Sequence, residues 1–256
     1  MNKVLFFDVD GTLFNTKKEV PESTIKAIEI ARQKGYEIAI ATGRAPFMIK
    51  DILEKLGIDS FVSFNGQYVV YKGKLIFVDS VPKNELKQIL DYGAKDKISF
   101  VFLNDQEMVA TQQGCLKINE SLSTLKYPYP RIDASFYETN DVYQTLIFID
   151  ESQEERYKKE FSHVKFVRWH PFACDILPED GSKERGIRKF IEAANVSIEN
   201  TFAFGDGLND IEMLKAAGLG VAMENGHPLA KKVADIIAPH VDDDGIYKVM
   251  KQLNII

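Results

Sequence analysis

The chain opens on Val4-Leu5-Phe6-Phe7-Asp8-Val9-Asp10-Gly11-Thr12-Leu13, an apolar run that stops in two carboxylates one residue apart. A short, continuous run of β-formers reads as a strand covered on both faces, as in a parallel sheet. Asp8 and Asp10 then fall at its carboxyl end, where open α/β sheets bind their ligands. Two like charges this close repel unless a cation or a proton lies between them. Taken alone, D-x-D-G is equally well a turn at a strand end, and the rest of the chain has to decide.

From Phe14 onward the chain takes up a rhythm of helix and strand. Phe14 to Val20 reads as a polar loop, Pro21 to Lys34 as a helix striped by Ile25, Ile28 and Ala31, and Gly35 as its C-terminal cap. Tyr36 to Ala41 is a strand ending in Thr42-Gly43-Arg44. Pro46 starts a helix that stops at Gly57, and Ser60 to Phe64 is a strand ending at Asn65-Gly66. Gln67 to Tyr71 and Leu75 to Val78 flank Lys72-Gly73 as a hairpin. From Pro82 to Pro178 the pattern turns mixed. Asn84–Ala94 and Glu151–Phe161 read as helices. Ser99–Leu103, Glu107–Ala110, Gln144–Ile149, Val164–Arg168 and Ala173–Leu177 read as strands, with Tyr127 to Pro130 as an irregular connector.

The first rhythm returns in a helix Lys183–Ala194 and a strand Thr201–Phe204 running into Gly205-Asp206-Gly207. A helix Asp210–Ala216, a strand Leu219–Ala222 and helices Pro228–Val233 and Gly245–Leu253 complete the chain. The expected architecture is α/β: a parallel-sheet, Rossmann-like core from residues 1–81 and 183–256, interrupted by an α+β domain at 82–182.

Bulk properties narrow the chemistry. A formal charge of -6 over 256 residues offers no general basic surface for nucleic acid or an anionic membrane. An anionic substrate would need a local cationic pocket. Cys115 and Cys174 form no spacing motif and read as small apolar side chains, and no apolar stretch is long enough to span a bilayer. The start of the chain lacks a basic segment followed by a long apolar one, so a cytoplasmic location is expected.

Parallel strands put their carboxyl ends on one sheet edge, so four segments can converge: Asp8/Asp10/Thr12, Thr42/Gly43/Arg44, Lys183, and Asp206/Asn209/Asp210. Asp8 and Asp206 with a nearby carbonyl make a hard-oxygen site with few protein ligands, which suits Mg²⁺. A carboxylate so placed can attack phosphorus, with Lys183 and the cation offsetting the repulsion between anions. Thr42, Asn209 and backbone amides of the Asp8–Gly11 loop, that of Val9 among them, could bind phosphoryl oxygens. Asp10 could act as general acid and base.

These four segments, in this order, resemble the motifs of the haloacid dehalogenase superfamily of phosphatases. The Ala41-Thr42-Gly43-Arg44 and Gly205–Asp210 blocks look most like its Cof-type branch, which carries a type IIB α+β cap in the place of the 82–182 insert. The resemblance implies Asp8 as nucleophile and Mg²⁺ ligand. It implies Asp10 as acid/base and carbonyl ligand, Asp206 as the third protein ligand and Asp210 as a supporting carboxylate. Thr42, Gly43, Lys183 and Asn209 are implied as phosphate-binding, with Thr12 and Arg44 in support. An acid at position 10 sets the chain apart from the dehalogenase and phosphonatase branches. The expectation is a Mg²⁺-dependent phosphatase of small phosphorylated metabolites (sugar phosphates, nucleotides, FMN or PLP) working through an aspartyl phosphate. It would be monomeric or weakly homo-oligomeric, with no nucleic-acid or membrane partner.

Other segments invite simpler readings. Arg44 either pairs with a carboxylate or meets substrate. Asn65-Gly66 is a turn that could still line the site. Asp242-Asp243-Asp244-Gly245 looks like another metal cluster but reads better as helix capping and dipole complementarity, and Asp235 as a loop or strand-end acid. The four histidines have no ligand spacing. Trp169-His170-Pro171-Phe172 and Asp175 read as packing within the insert, with leaving-group contact as the alternative. The rival functions are a phosphomannomutase-like phosphomutase, a noncatalytic phosphometabolite sensor and, more distantly, a D-x-D glycosyltransferase. A mutase should carry a cationic cluster in its cap, and Arg131, Arg156 and Arg168 are scattered.

Overall fold

In the computed structural model, which describes residues 3–256, the opening run forms strand β1 (Lys3–Phe7). Its side chains alternate between two cores: Leu5 and Phe7 pack in one, Val4 and Phe6 in the other, all fully buried. Burial on both faces is why the run shows no polar alternation. There follow α1 (Glu22–Gln33), β2 (Tyr36–Ala41), α2 (Pro46–Leu56) and β3 (Phe61–Ser63), then an antiparallel hairpin of β4 (Tyr68–Tyr71) and β5 (Lys74–Val78).

Residues 79–181, with 45–47, make a compact unit of their own. It comprises α3 (Lys83–Ala94), β6 (Phe100–Leu103), β7 (Met108–Ala110), α4 (Leu116–Thr124), β8 (Arg131–Ile132), α5 (Phe136–Thr139), β9 (Gln144–Ile147), α6 (Glu151–Glu160), β10 (Val164–His170) and β11 (Ala173–Pro178). The strands form a six-stranded sheet in the order β10-β11-β9-β6-β7-β8, antiparallel except for β7 with β8. Leu86 and Ile89 of α3 and Tyr157 of α6 pack with Phe100, Phe102, Ile147 and Ile176 of the sheet. Asp150 starts α6 through a reciprocal capping box with Gln153.

The sequence pattern did not reveal α4, β8 or α5. The reason is visible in α4, whose Leu116 points to solvent while Ile118 and Leu122 alone supply its buried aliphatic stripe. The His170 ring meets those of Trp169 and Phe172, and His170 Nδ1 lies 2.9 Å from Ser121 Oγ and accepts from the Phe172 N–H at 3.2 Å. The segment is tied into the insert's own structure. Asp175 is buried on β11.

The first unit resumes with α7 (Lys183–Ala194), β12 (Thr201–Gly205), α8 (Ile211–Ala216), β13 (Leu219–Met223), α9 (Pro228–Val233), β14 (Ile236–Ala238) and α10 (Gly245–Gln252). Its eight strands run β14-β13-β12-β1-β2-β3-β4-β5, parallel from β14 to β3. The pattern also missed β14, a three-residue edge strand with Ile237 exposed. Asp235 precedes β14 and accepts from the Gly220 N–H at 2.8 Å. Among the described residues no helix is long and apolar enough to cross a membrane.

Within the acidic run 242–244, Asp242 and Asp244 correct the expectation of side-chain capping. Asp244 is the N-cap of α10 by position but makes no side-chain cap bond; its carboxylate accepts from Ser23 Oγ at 2.5 Å. Asp242 accepts from the Thr16 N–H at 3.1 Å and Oγ at 2.9 Å. The carboxylates meet hydroxyls of the loop after β1 and the start of α1 instead, and so fasten the segment that leaves Asp8 and Asp10.

Candidate active site

The register of the central strands sets the site. Phe7 of β1 lies opposite Phe204 of β12 and Ile40 of β2, and the Asp8 N–H donates to the Phe204 carbonyl at 2.9 Å. The residues beyond, Asp8–Thr12, Thr42–Arg44 and Asp206–Asp210, therefore leave the sheet along one edge. Gly11 makes the turn possible: it sits at φ +77, and a Cβ there would lie 2.3 Å from the Asp206 carboxylate.

Lys183, the first residue of α7, is completely buried between two acids. Its Nζ donates to Asp8 Oδ1 at 2.5 Å and to Asp210 Oδ1 at 2.6 Å. The other Asp210 oxygen accepts from the backbone N–H groups of Asp206 and Gly207 at 2.8 and 2.7 Å. Thr12 Oγ1 donates to Asp206 Oδ1 at 3.3 Å. Carboxylate oxygens of Asp8, Asp206 and Asp210 all lie within 4.8 Å of one another.

Crowding of charge in this buried cluster shifts the ionisation of Asp8, Asp206 and Lys183. Burial pushes the Asp8 carboxyl well above the usual range; Lys183 opposes that rise, and Asp210 and Asp206 add to it. Burial and the Asp210 charge push Asp206 up to about 7. Burial works against the Lys183 ammonium, but Asp210 and Asp8 outweigh it and hold the group above the ordinary lysine range.

The Asp10 side chain is in a different place. Its carboxylate accepts from Arg44 Nε at 2.6 Å, Arg44 Nη2 at 2.9 Å and Lys18 Nζ at 2.8 Å. Burial acts to raise Asp10, but these two cations win and hold it at about 2. Arg44 thus has a carboxylate partner, and Phe14 lies against its guanidinium at 5.6 Å.

Thr42 is buried, and its Oγ1 accepts from the Arg44 N–H at 3.1 Å. Asn209 Nδ2 donates to Asn65 Oδ1 at 2.9 Å, and Gly43 lies against that Asn65 amide. The side chain of Val9 is fully buried in the core, which leaves only its backbone for a ligand.

Two neighbours have no counterpart among the residues expected from sequence. Lys18 carries no signal within its polar loop. Asn225 donates to the Gly11 carbonyl at 2.8 Å and accepts from the Val241 N–H at 3.0 Å, so it braces the turn that carries Asp10. Its one local signal was the Asn-Gly pair just past a strand.

The sequence matches the haloacid dehalogenase-like hydrolase family over residues 5–250. It is 40% identical over 255 residues to the protein YkrA of Bacillus subtilis (strain 168), covering 100% of this chain and 99% of that one. To the pyridoxal phosphate phosphatase YbhA of Escherichia coli (strain K12) it is 31% identical over 261 residues, with 95% and 96% covered. The solved structure of BT4131, a subclass IIB sugar phosphatase of the same superfamily, superposes with a TM-score of 0.91 at 31% identity, covering 99% of this chain and 100% of that one.

Proposed function

The chain belongs to the haloacid dehalogenase-like hydrolases, and from that premise we propose that it is a Mg²⁺-dependent phosphatase of small phosphorylated metabolites acting through an aspartyl phosphate on Asp8. The observation that carries the reading is the buried Lys183 ammonium held between Asp8 and Asp210, with Asp206 beside them.

The donor set fits the ion. All donors are hard oxygens, and Asp210 is already engaged on both of its oxygens. Asp8 and Asp206, with the Asp10 carbonyl, are the groups that would hold Mg²⁺. Bound there, it would keep Asp8 ionised and offset charge on the phosphoryl group.

The chain's own residues account for the rest. An Asp8 oxygen attacks phosphorus, the P–O bond to the leaving group breaks, and the phosphoryl group rests on Asp8. Lys183 and the Thr42 and Asn209 side chains receive phosphoryl oxygens, and the Asp8–Gly11 backbone amides line the same turn. Asp10, turned away from the acid cluster, is available for proton transfer. Ionised as it stands, it is ready to take a proton from the water that hydrolyses the acyl phosphate. Protonating the leaving oxygen in the first step requires Asp10 to part from Arg44 and Lys18 as substrate binds and to take up a proton from solvent, which it then passes to that oxygen.

The substrate class rests on the relatives, named for pyridoxal phosphate and sugar phosphates. We assign residues 82–182 the role of a cap that selects the leaving group, and the cytoplasm as the site of action. Against a phosphomutase stand the insert's arginines. Arg131 pairs with Glu107 and Asp133, Arg156 with Asp96, and Arg168 with Glu154, so they form no cationic cluster for a second phosphate.

The test is hydrolysis of p-nitrophenyl phosphate with Mg²⁺, with EDTA and with EDTA followed by excess Mg²⁺, then a panel of phosphorylated metabolites compared by kcat/KM. Asp8→Asn should have no turnover. Asp10→Asn should accumulate phosphate on the peptide containing Asp8, read by mass spectrometry after acid quench. Turnover by Asp8→Asn near the wild-type rate overturns the nucleophile assignment.

A further inference from the structure

Asn65, read from sequence as part of a turn that could line the site, is placed in it by the structure. It follows β3 in a left-handed conformation, φ 52 and ψ 37, which asparagine tolerates better than most residues. It is buried, and its N–H donates to the Thr42 carbonyl at 3.0 Å. Its side-chain carbonyl accepts from Asn209 Nδ2 at 2.9 Å. A Cβ at Gly43 would meet the Asn65 amide at 2.9 Å, so glycine is what lets that amide lie against the Thr42–Gly43 turn. One residue thus touches two of the segments expected to receive phosphate.

The chemistry turns on which end of Asn209 meets the anion. An asparagine side chain presents two N–H donors at one atom and a carbonyl acceptor at the other, in nearly the same shape. A phosphoryl group is served only by the donors. With one Nδ2 hydrogen engaged by Asn65, the amide cannot flip without losing that bond, and the second hydrogen stays available. We propose that Asn65 is a positioning residue that holds the Asn209 side chain as a donor toward the phosphoryl oxygens. The inference rests on the phosphatase reading for its ligand and adds a residue to which that reading gives no role.

Asn65→Gly keeps the left-handed backbone accessible and removes the acceptor. The probe is inorganic phosphate, titrated calorimetrically in the presence of Mg²⁺, with KM and kcat on p-nitrophenyl phosphate measured alongside. Asn65→Gly should weaken phosphate about tenfold, the size of one oriented bond to a charged group, and raise KM more than it lowers kcat. In an Asn209→Ala background the same change should shift phosphate binding less than about twofold, because the group Asn65 orients is gone. An equal loss in both backgrounds, or no loss in the wild-type background, overturns the proposal.

A second measurement needs no variant at position 65. The Asn209 side-chain NH₂ resonances of the wild-type protein, identified by their loss in Asn209→Ala, should shift on adding phosphate. Unmoved resonances in a protein that binds phosphate also overturn it. Phosphate binding without turnover would sink the catalytic reading and leave this test standing, whereas a wild type that binds no phosphate sinks both.

Discussion

Asp206 is where the proposed metal site costs the fold stability. Its carboxyl is pushed up to about 7 by burial and by the Asp210 charge, and a single hydroxyl, that of Thr12, is its side-chain partner among the described residues. Asparagine at 206 keeps an acceptor for Thr12 and removes the repulsion, so Asp206→Asn should raise the melting temperature of the metal-free protein, by about 1 kcal/mol of stability. Wild type should instead be stabilised by Mg²⁺, by about 2.7 kcal/mol at a hundredfold excess over Kd. Asp206→Asn should lose that response together with turnover. Thermal melts of both proteins in EDTA and in Mg²⁺ check this, and an equal Mg²⁺ shift in the two would remove Asp206 from the ion's ligands. Lys183→Met is the converse change. It leaves Asp8 and Asp210 buried without their cation and should cost about 3 kcal/mol in EDTA, read as a fall in denaturant midpoint.

Lys183 reaches the two acids because α7 comes in very close to the turn after β3. A Cβ at Gly66, where φ is +101, would stand 1.9 Å from the Ser182 carbonyl, and one at Gly186 would stand 2.4 Å from Val62 Cγ1 and 2.7 Å from the Gly66 Cα. Gly186→Ala should normally stabilise a helix by up to about 1 kcal/mol. Here the crowding wins: a net loss of about 1–3 kcal/mol is expected, with Lys183 displaced and kcat lowered more than tenfold. Circular-dichroism melts and steady-state kinetics check the pair, and a variant at least as stable and as active as wild type would refute the crossing. This element-level packing also marks what could be read beforehand. The alternation of strands and helices was legible because β1, β2, β12, α1, α2 and α7 each carry a full buried face. Short elements such as β8 and β14 bury too little to leave a pattern. The site's residue types were legible because each follows a core strand or opens a core helix. Their pairings were not: Arg44 and Lys18 on Asp10, Asn225 on Gly11, and Asp242 and Asp244 on Thr16 and Ser23 depend on contacts that no local spacing encodes.

At the scale of the molecule the two units keep separate hydrophobic cores, so damage to one need not spread to the other. The insert's weak point is Glu154. Its nearly buried carboxylate accepts from Arg168 Nε at 2.5 Å and from Lys158 Nζ at 2.6 Å. Arg168 Nη1 in turn donates to the Ile149, His170 and Pro171 carbonyls, which pins the β10–β11 turn. Burial acts to raise the Glu154 pKa, but Lys158 and Arg168 outweigh it, and the net shift is downward. A carboxylate with a depressed folded-state pKa contributes stability above its unfolded value, about 4.3 for glutamate, and loses it as pH falls through the folded value. Glu154→Gln should therefore destabilise the insert at pH 7, by about 3 kcal/mol because Arg168 is left without its carboxylate. The gap from wild type should narrow below about pH 4, where the wild-type glutamate is itself becoming protonated. Calorimetry at pH 7 should then resolve an early transition for the insert from an unshifted one for the other unit. A single transition, lowered as a whole, would mean that the two cores unfold together.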